Sequence, residues 1–246
     1  REAGRSAGPP PSPSSRESKI FNALVLGVRD YFRKSGFQKA VLGLSGGIDS
    51  ALTACIAKEA LGAKNVTGVA MPTQYTADIS TDDAKLLAEN LGINFEIIPI
   101  QDTFKSYLNT LQPLFKNTKP DITEENIQSR IRGDILMAIA NKTGALTLNT
   151  GNKTELALGY CTMYGDMCGA IGVLADLSKN KVYALSEYYN ELNNAEIIPQ
   201  RIIDRPPSAE LKADQVDPFD YDIVSPLVDD IIVNNKSKEE LMQEGY

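Results

Sequence analysis

The sequence has no histidine in its 246 residues. That excludes Ser-His-Asp and Cys-His nucleophile chemistry and any imidazole-ligated metal. Catalysis, if present, falls to carboxylates, lysine and arginine, hydroxyls, backbone amides or a bound ion. Cysteine is also scarce. Cys55, Cys161 and Cys168 make an odd set without a C-x-x-C pair, which argues against a disulfide framework or a zinc site and suits a cytoplasmic protein. No apolar run approaches the ~20 residues of a membrane span, and no apolar segment near the N-terminus reads as a signal peptide. Positive charge is in deficit, with a net charge of −7. A broad nucleic-acid surface is therefore not expected.

Hydrophobic residues supply 42% of the chain and charged residues 23%, a globular composition. The length suits one large α/β domain or two small ones, with enough chain to bury a core. Arg1 to Ser18 are rich in Pro, Ser, Gly and Arg and read as a disordered linker or a remnant. From Lys19 to Lys34, Ile20, Leu24, Val28, Tyr31 and Phe32 recur at helical spacing. Strands are expected at Lys39–Leu44, Val66–Met71, Phe95–Ile100 and Ala145–Asn149. Helices are expected at Ile48–Leu61, Asp78–Leu91, Thr103–Phe115, Thr123–Asn141, Glu155–Leu158, Val182–Asn193, Tyr221–Asn234 and Ser237–Glu244, with Thr123 as a hydroxyl N-cap. Ile202 to Pro218 reads as a loop. The alternation implies parallel β-α-β units with helices on both sheet faces.

Gly43-Leu44-Ser45-Gly46-Gly47-Ile48-Asp49-Ser50 joins a buried strand to a helix N-terminus through a glycine turn. Unpaired amides and the positive helix end make such a junction an anion site, for phosphate above all. It has neither the lysine of the common nucleoside-triphosphate loop nor G-x-G-x-x-G. Further along, Asn149-Thr150-Gly151-Asn152-Lys153-Thr154-Glu155 follows a buried strand, at the sheet edge where open α/β sheets bind ligands. Glu155 there is either a solvated acid beside a helix cap or a second carboxylate that joins Asp49 on one Mg²⁺. Asn126 and Arg130, four apart on a helix, are either part of a solvated charged face or a carboxylate- and phosphate-binding fork. Gly159-Tyr160-Cys161-Thr162-Met163-Tyr164-Gly165-Asp166 is either a glycine loop with a Tyr/Met core patch or an aromatic cradle, since Tyr160 suits stacking on a pyridine ring. Lys179, in Asp176-Leu177-Ser178-Lys179, could equally be a surface lysine without a role.

Together these segments resemble one family. Ser-Gly-Gly-Ile-Asp-Ser is similar to the pyrophosphate loop of N-type ATP pyrophosphatases. Thr-Gly-Asn-Lys-Thr-Glu, Glu-Asn-x-Gln-x-Arg-x-Arg, Gly-Tyr-x-Thr-x-Tyr-Gly-Asp and Pro-Pro-Ser-Ala-Glu-Leu look like segments of NAD synthetases. The resemblance spans Lys19 to Tyr246. It implies a Rossmann-like adenine nucleotide alpha hydrolase fold and a ligase that amidates deamido-NAD to NAD. ATP is cleaved to AMP and pyrophosphate, and ammonia attacks a nicotinate adenylate. It assigns Gly43, Leu44, Ser45, Gly46, Gly47, Ile48, Asp49, Ser50, Thr150, Lys179 and Ser208 to ATP. Asn126, Arg130, Glu155, Tyr160, Thr162, Met163 and Asp166 go to deamido-NAD, Asp49 and Glu155 to Mg²⁺, and Asp49 and Lys179 to catalysis.

The Arg-Asp-Tyr-Phe run and Ala170, where ammonia-only members carry an aspartate, look closer to glutamine-dependent synthetases. A homodimer and a glutaminase domain or partner are implied. Before Lys19 the family's Cys-Glu-Lys glutaminase is not found, and its basic C-terminal segment is not found either, so a fragment or the use of free ammonia is expected. The rival readings are a GMP synthetase-like or tRNA-thiolating pyrophosphatase and a non-catalytic ATP sensor. The thiolating reading wants reactive cysteine pairs and a basic surface, and a sensor has no need of both Asp49 and Glu155.

Overall fold

A computed structural model of the chain describes Ser12, residues 15–212 and residues 215–246. Most of the stretch read as a linker, 1–11 with 13 and 14, lies outside the described residues. Its last residues do not fit that reading. Helix α1 runs Arg16–Ser35, and the Ser15 side chain caps it by accepting from the Ser18 amide at 3.0 Å. The cap and the buried Ser18 begin the folded unit before its first large apolar residue.

Five parallel strands follow the order β3-β2-β1-β4-β5, with β1 at Lys39–Gly43, β2 at Val66–Ala70, β3 at Asn94–Ile97, β4 at Ala145–Asn149 and β5 at Ile171–Gly172. Strand β1 is central, with Val41 beside Thr67 of β2 and Thr147 of β4. The chain leaves β1 toward β2 and β3, then returns to its other side at β4. The switch point therefore lies between β1 and β4, and the crevice at their carboxyl ends is where such sheets bind ligands.

Alternation along β1 sends its residues to two cores. Ala40 and Leu42 join one cluster under α1, α2 (Ile48–Leu61) and α7 (Lys179–Asn193). Val41 joins a second cluster under α4 (Gln101–Leu111) and α5 (Ile122–Thr143). Helix α2 is buried from Ser50 through Ala57, as a helix enclosed on all sides must be. Helix α3 (Asp78–Leu91) flanks β2, and α6 (Lys153–Leu158) meets α9 (Tyr221–Ile232). The remaining helices are α8 (Gln200–Asp204) and α10 (Lys238–Gln243). No helix among the described residues is long and apolar enough to cross a membrane.

Several boundaries differ from the sequence expectation for local reasons. The cap of α5 is Asp121, not Thr123. Asp121 accepts from the Thr123 amide at 2.8 Å, and Glu124 reaches back to the Asp121 amide at 2.8 Å. Leu44 lies beyond β1, although its amide still donates to Val69. Strand β3 is an exposed edge, and the chain leaves it after Ile97. Helix α4 starts before Thr103 and ends at Leu111, just before Pro113. Helix α7 begins at Lys179, with Ser178 at its cap position, rather than at Val182. Helix α8 occupies part of the expected loop. The two residues of β5 carry too little pattern to be seen in sequence.

Candidate active site

The site is built at the ends of β1 and β4. Gly46 turns the Ser45–Ser50 loop at φ +82°, a left-handed conformation that favours glycine. Space demands glycine too, because a Cβ there would lie 2.2 Å from the Ser80 carbonyl oxygen. Two hydroxyls knot the loop. Ser45 and Ser50 Oγ atoms are 3.2 Å apart, the Gly47 amide donates to Ser45 Oγ at 3.2 Å, and the Ser50 hydroxyl donates to the Gly47 carbonyl at 2.9 Å. Gly47 caps α2 in an extended conformation, so Ile48, Asp49 and Ser50 form the helix's first turn. Leu44 and Ile48 put their side chains into the core.

Asp49 meets the products of β4 in this crevice. Its Oδ1 accepts from Asn152 Nδ2 at 2.8 Å, and its Oδ2 pairs with Lys179 Nζ. The same ammonium lies 3.4 Å from Glu155 Oε1. Asn152 and Glu155 form a capping box that starts α6, so one asparagine sets the helix and steers Asp49. Burial, then the neighbouring Asp49, push the Glu155 carboxyl well above the usual range. Burial alone would lower the Lys179 pKa, but Asp49 and Glu155 outweigh it and raise it. Lys179 is 3% exposed. It is not a surface lysine but the counter-ion of two converging acids.

A cavity of about 490 Å³ opens over this cluster. It holds Ser45 to Ser50, Thr150, Glu155, Tyr160, Thr162, Asp166, Lys179, Ser208 and Asn126. Thr162 is fixed twice: its hydroxyl donates to Asn126 Oδ1 at 2.7 Å and its amide to Asp166 Oδ1 at 2.7 Å. Ser129 donates to Asp166 Oδ2 at 3.2 Å, and burial raises the Asp166 pKa against these bonds. Tyr160 packs edge-on against Phe219 at 5.2 Å between centroids. The Ser208 hydroxyl donates to the Gln215 carbonyl at 2.6 Å, and Pro206 to Leu211, Gln215 and Asp217 line the same cavity.

An adjoining cavity of about 240 Å³ is lined by Gly43, Leu44, Met71, Arg132 and Leu136. It takes up the two loop residues that do not face the first. Arg130 and Met163 line neither cavity. Arg130 is exposed and donates from Nε to the Met163 carbonyl at 3.2 Å, while Met163 is 65% exposed. Arg132, two residues on, points inward: its Nε holds the Met71 carbonyl at 3.1 Å, and burial lowers its guanidinium to about 10.

Sequence reasoning missed Asn152, Glu125, Arg205 and Asp217. Asn152 was legible as an N-cap three residues before Glu155, but its second bond to Asp49 was not. Asp217 Oδ1 is buried without a partner among the described residues, although Oδ2 accepts from Tyr221 at 2.8 Å. The cysteines are free thiols. Burial raises all three, most at Cys55, so none is an activated nucleophile.

An open parallel sheet with a glycine-turned loop at its switch point, facing two acids and a buried lysine, defines a doubly wound α/β protein with its site at the strands' carboxyl ends. A family model described as NAD synthase matches residues 20–246, and the chain belongs to that family. It is 50% identical over 234 residues to a glutamine-dependent NAD(+) synthetase of Thermotoga maritima, covering 94% of this chain and 41% of that protein. Among solved structures, it resembles the glutamine-dependent NAD+ synthetase of Acinetobacter baumannii in complex with ADP. The TM-score is 0.78 at 41% identity, over 97% of this chain and 43% of that one. It also resembles NMN synthetase from Francisella tularensis, with a TM-score of 0.79 at 28% identity, over 94% of this chain and 92% of that one. The chain thus spans about two fifths of the length of the curated relatives it matches.

Proposed function

We propose that this chain performs the synthetase chemistry of its family: ATP-dependent amidation of deamido-NAD to NAD. The observation that carries the reading is the convergence of Asp49, Glu155 and Lys179 beside the Ser45–Ser50 loop. In the first step the nicotinate carboxylate oxygen attacks the α-phosphorus of ATP. The bond to the β-phosphate bridge breaks, and pyrophosphate leaves toward the loop amides and the α2 N-terminus. In the second step ammonia attacks the acyl carbon, AMP departs, and the nitrogen loses a proton. The first nucleophile is already an anion, so the missing histidine is no handicap. The chain's task is positioning and charge stabilisation. Lys179 serves this by facing the phosphates.

The donor set suits Mg²⁺. Two carboxylates converge, one of them raised by burial and by its neighbour, and a cation relieves both. Among the described residues no third acid or thiol joins them, which fits an ion that takes its other ligands from phosphates and water. Asp49 and Glu155 would hold it, and when bound it would neutralise phosphate charge. The narrower cavity beside Gly43 and Met71 suits adenosine. The larger one, with Asn126, Tyr160, Thr162 and Asp166, suits the nicotinate half, and Asp217 Oδ1 is left for a ligand donor. Arg130 and Met163 then act through the loop they brace rather than by direct contact. A homodimer, a glutaminase domain or partner as ammonia source, and a cytoplasmic setting belong to the same proposal; the glutamine-dependent relatives support the ammonia source and the free cysteines the setting.

The likeness to the NMN synthetase, which this chain covers almost end to end, favours one second reading: the acceptor is the mononucleotide acid. Incubation with Mg-ATP, ammonium and either acid, followed for AMP and the amide, separates the two. Deamido-NAD is expected to turn over, and a preference for the mononucleotide would replace it as the acceptor.

A further inference from the structure

Six carboxylates line the main cavity: Asp49, Glu125, Glu155, Asp166, Glu210 and Asp217. Among the described residues it has two cationic side chains, Lys179 and Arg205. Lys179 is committed to Asp49 and Glu155. A nucleoside triphosphate adds several further negative charges, so a second cation is needed at its phosphate end.

Arg205 stands at that end, just past α8, and its guanidinium is fixed. Nη1 donates to Ser80 Oγ at 2.7 Å, and Nη2 pairs with the Asp83 carboxylate. The Ser80 hydroxyl in turn donates to Glu210 Oε1 at 2.6 Å. The Ser80 carbonyl is the group pressed against Gly46. One residue therefore separates the guanidinium from the phosphate loop.

Charge balance points the same way. Asp83 is fully buried and also pairs with Arg201. One arginine would neutralise it. Arg201 and Arg205 both pair with it, so Arg205 is not needed in full as its counter-ion.

We propose that Arg205 is a phosphate-binding residue that takes the β,γ end of ATP and then the departing pyrophosphate, with Asp83 and Ser80 as positioning residues for its fork. This rests on the nucleotide half of the function proposed above, not on which acid is adenylated. Two of five N–H groups are used by Ser80 and Asp83, which leaves others for phosphate oxygens.

Calorimetric titration of the chain with ATP, inorganic pyrophosphate and AMP, each with Mg²⁺, tests this. Arg205→Gln is expected to weaken ATP and pyrophosphate about 10- to 100-fold and AMP less than about twofold. Arg205→Lys should recover part of that loss. Ser80→Ala, which frees the fork without removing it, should show a smaller loss with the same preference for ATP over AMP, and it serves if Arg205→Gln does not fold. Equal losses for ATP and AMP would mark a structural role and overturn the proposal. So would unchanged ATP and pyrophosphate affinity. If the wild-type chain binds both ligands yet amidates no acid, the acceptor reading fails and Arg205 stands.

Discussion

Lys179 sets the electrostatics of the cavity floor. Removing it leaves two carboxylates facing each other, one of them already raised by burial. Lys179→Met is therefore expected to lower AMP formation by at least about 100-fold. Asp49→Asn keeps its shape and its bond from Asn152 but loses charge toward lysine and metal. A similar loss of about 100-fold is expected, with the melting transition retained. Full activity in a folded Asp49→Asn would remove its role. At this scale the sequence told much. The Ser45–Ser50 loop, Thr150, Glu155 and Lys179 do share one crevice. What it could not tell was direction. Arg130 and Arg132 have the same chemistry and differ by two helix positions, about 200° of rotation, so only packing says which one faces inward. Arg205 was illegible because its meaning comes from Asp83 and Ser80, more than 120 residues away.

Elements carry the next set of constraints. Gly133 lies inside α5, where glycine is unfavourable. A Cβ there would meet the Gly165 and Tyr164 carbonyls at 2.9 Å. Gly133→Ala is thus expected to push the 160–168 loop away and to raise the Kd for the acid substrate more than that for ATP. Equal binding of both would show that the loop is not part of the acid's site.

Helix α9 is held by Asp229, which accepts from Lys153 at 2.9 Å, Lys181 at 2.6 Å and Ser178 at 2.9 Å. Burial would raise its pKa, but these donors outweigh burial and lower it. The sign follows: this stabilisation is present above the ordinary aspartate value of 3.8 and is lost as pH falls through the lower folded value. Asp229→Asn should cost about 1–2 kcal/mol in neutral urea titrations, discounted for partial exposure. The gap between variant and wild type should close in acid. A gap independent of pH would place the effect elsewhere. Elements with strong period and clear stops, such as α2, α3 and β4, were legible to the residue. Those set by side-chain caps or by tertiary pairing, α5, α7 and β5, were not.

At the scale of the molecule, the sheet order turns five scattered segments into one site. The Ser45–Ser50 loop follows β1, Thr150 to Glu155 follows β4, and the two strands are neighbours across the switch point. Two cores clamp that edge from opposite faces, so the crevice is carried on rigid elements. The order of strands was not in the sequence, because parallel alternation fixes handedness and not which neighbour β4 chooses.

The most direct measurement is the complete reaction. The chain is incubated with Mg-ATP, deamido-NAD and saturating ammonium, and AMP, pyrophosphate and NAD are followed together. All three are expected in equal amounts, with AMP formation dependent on the acid. ADP and phosphate in their place, or no AMP at all, would contradict an adenylating ligase built on Ser45–Ser50.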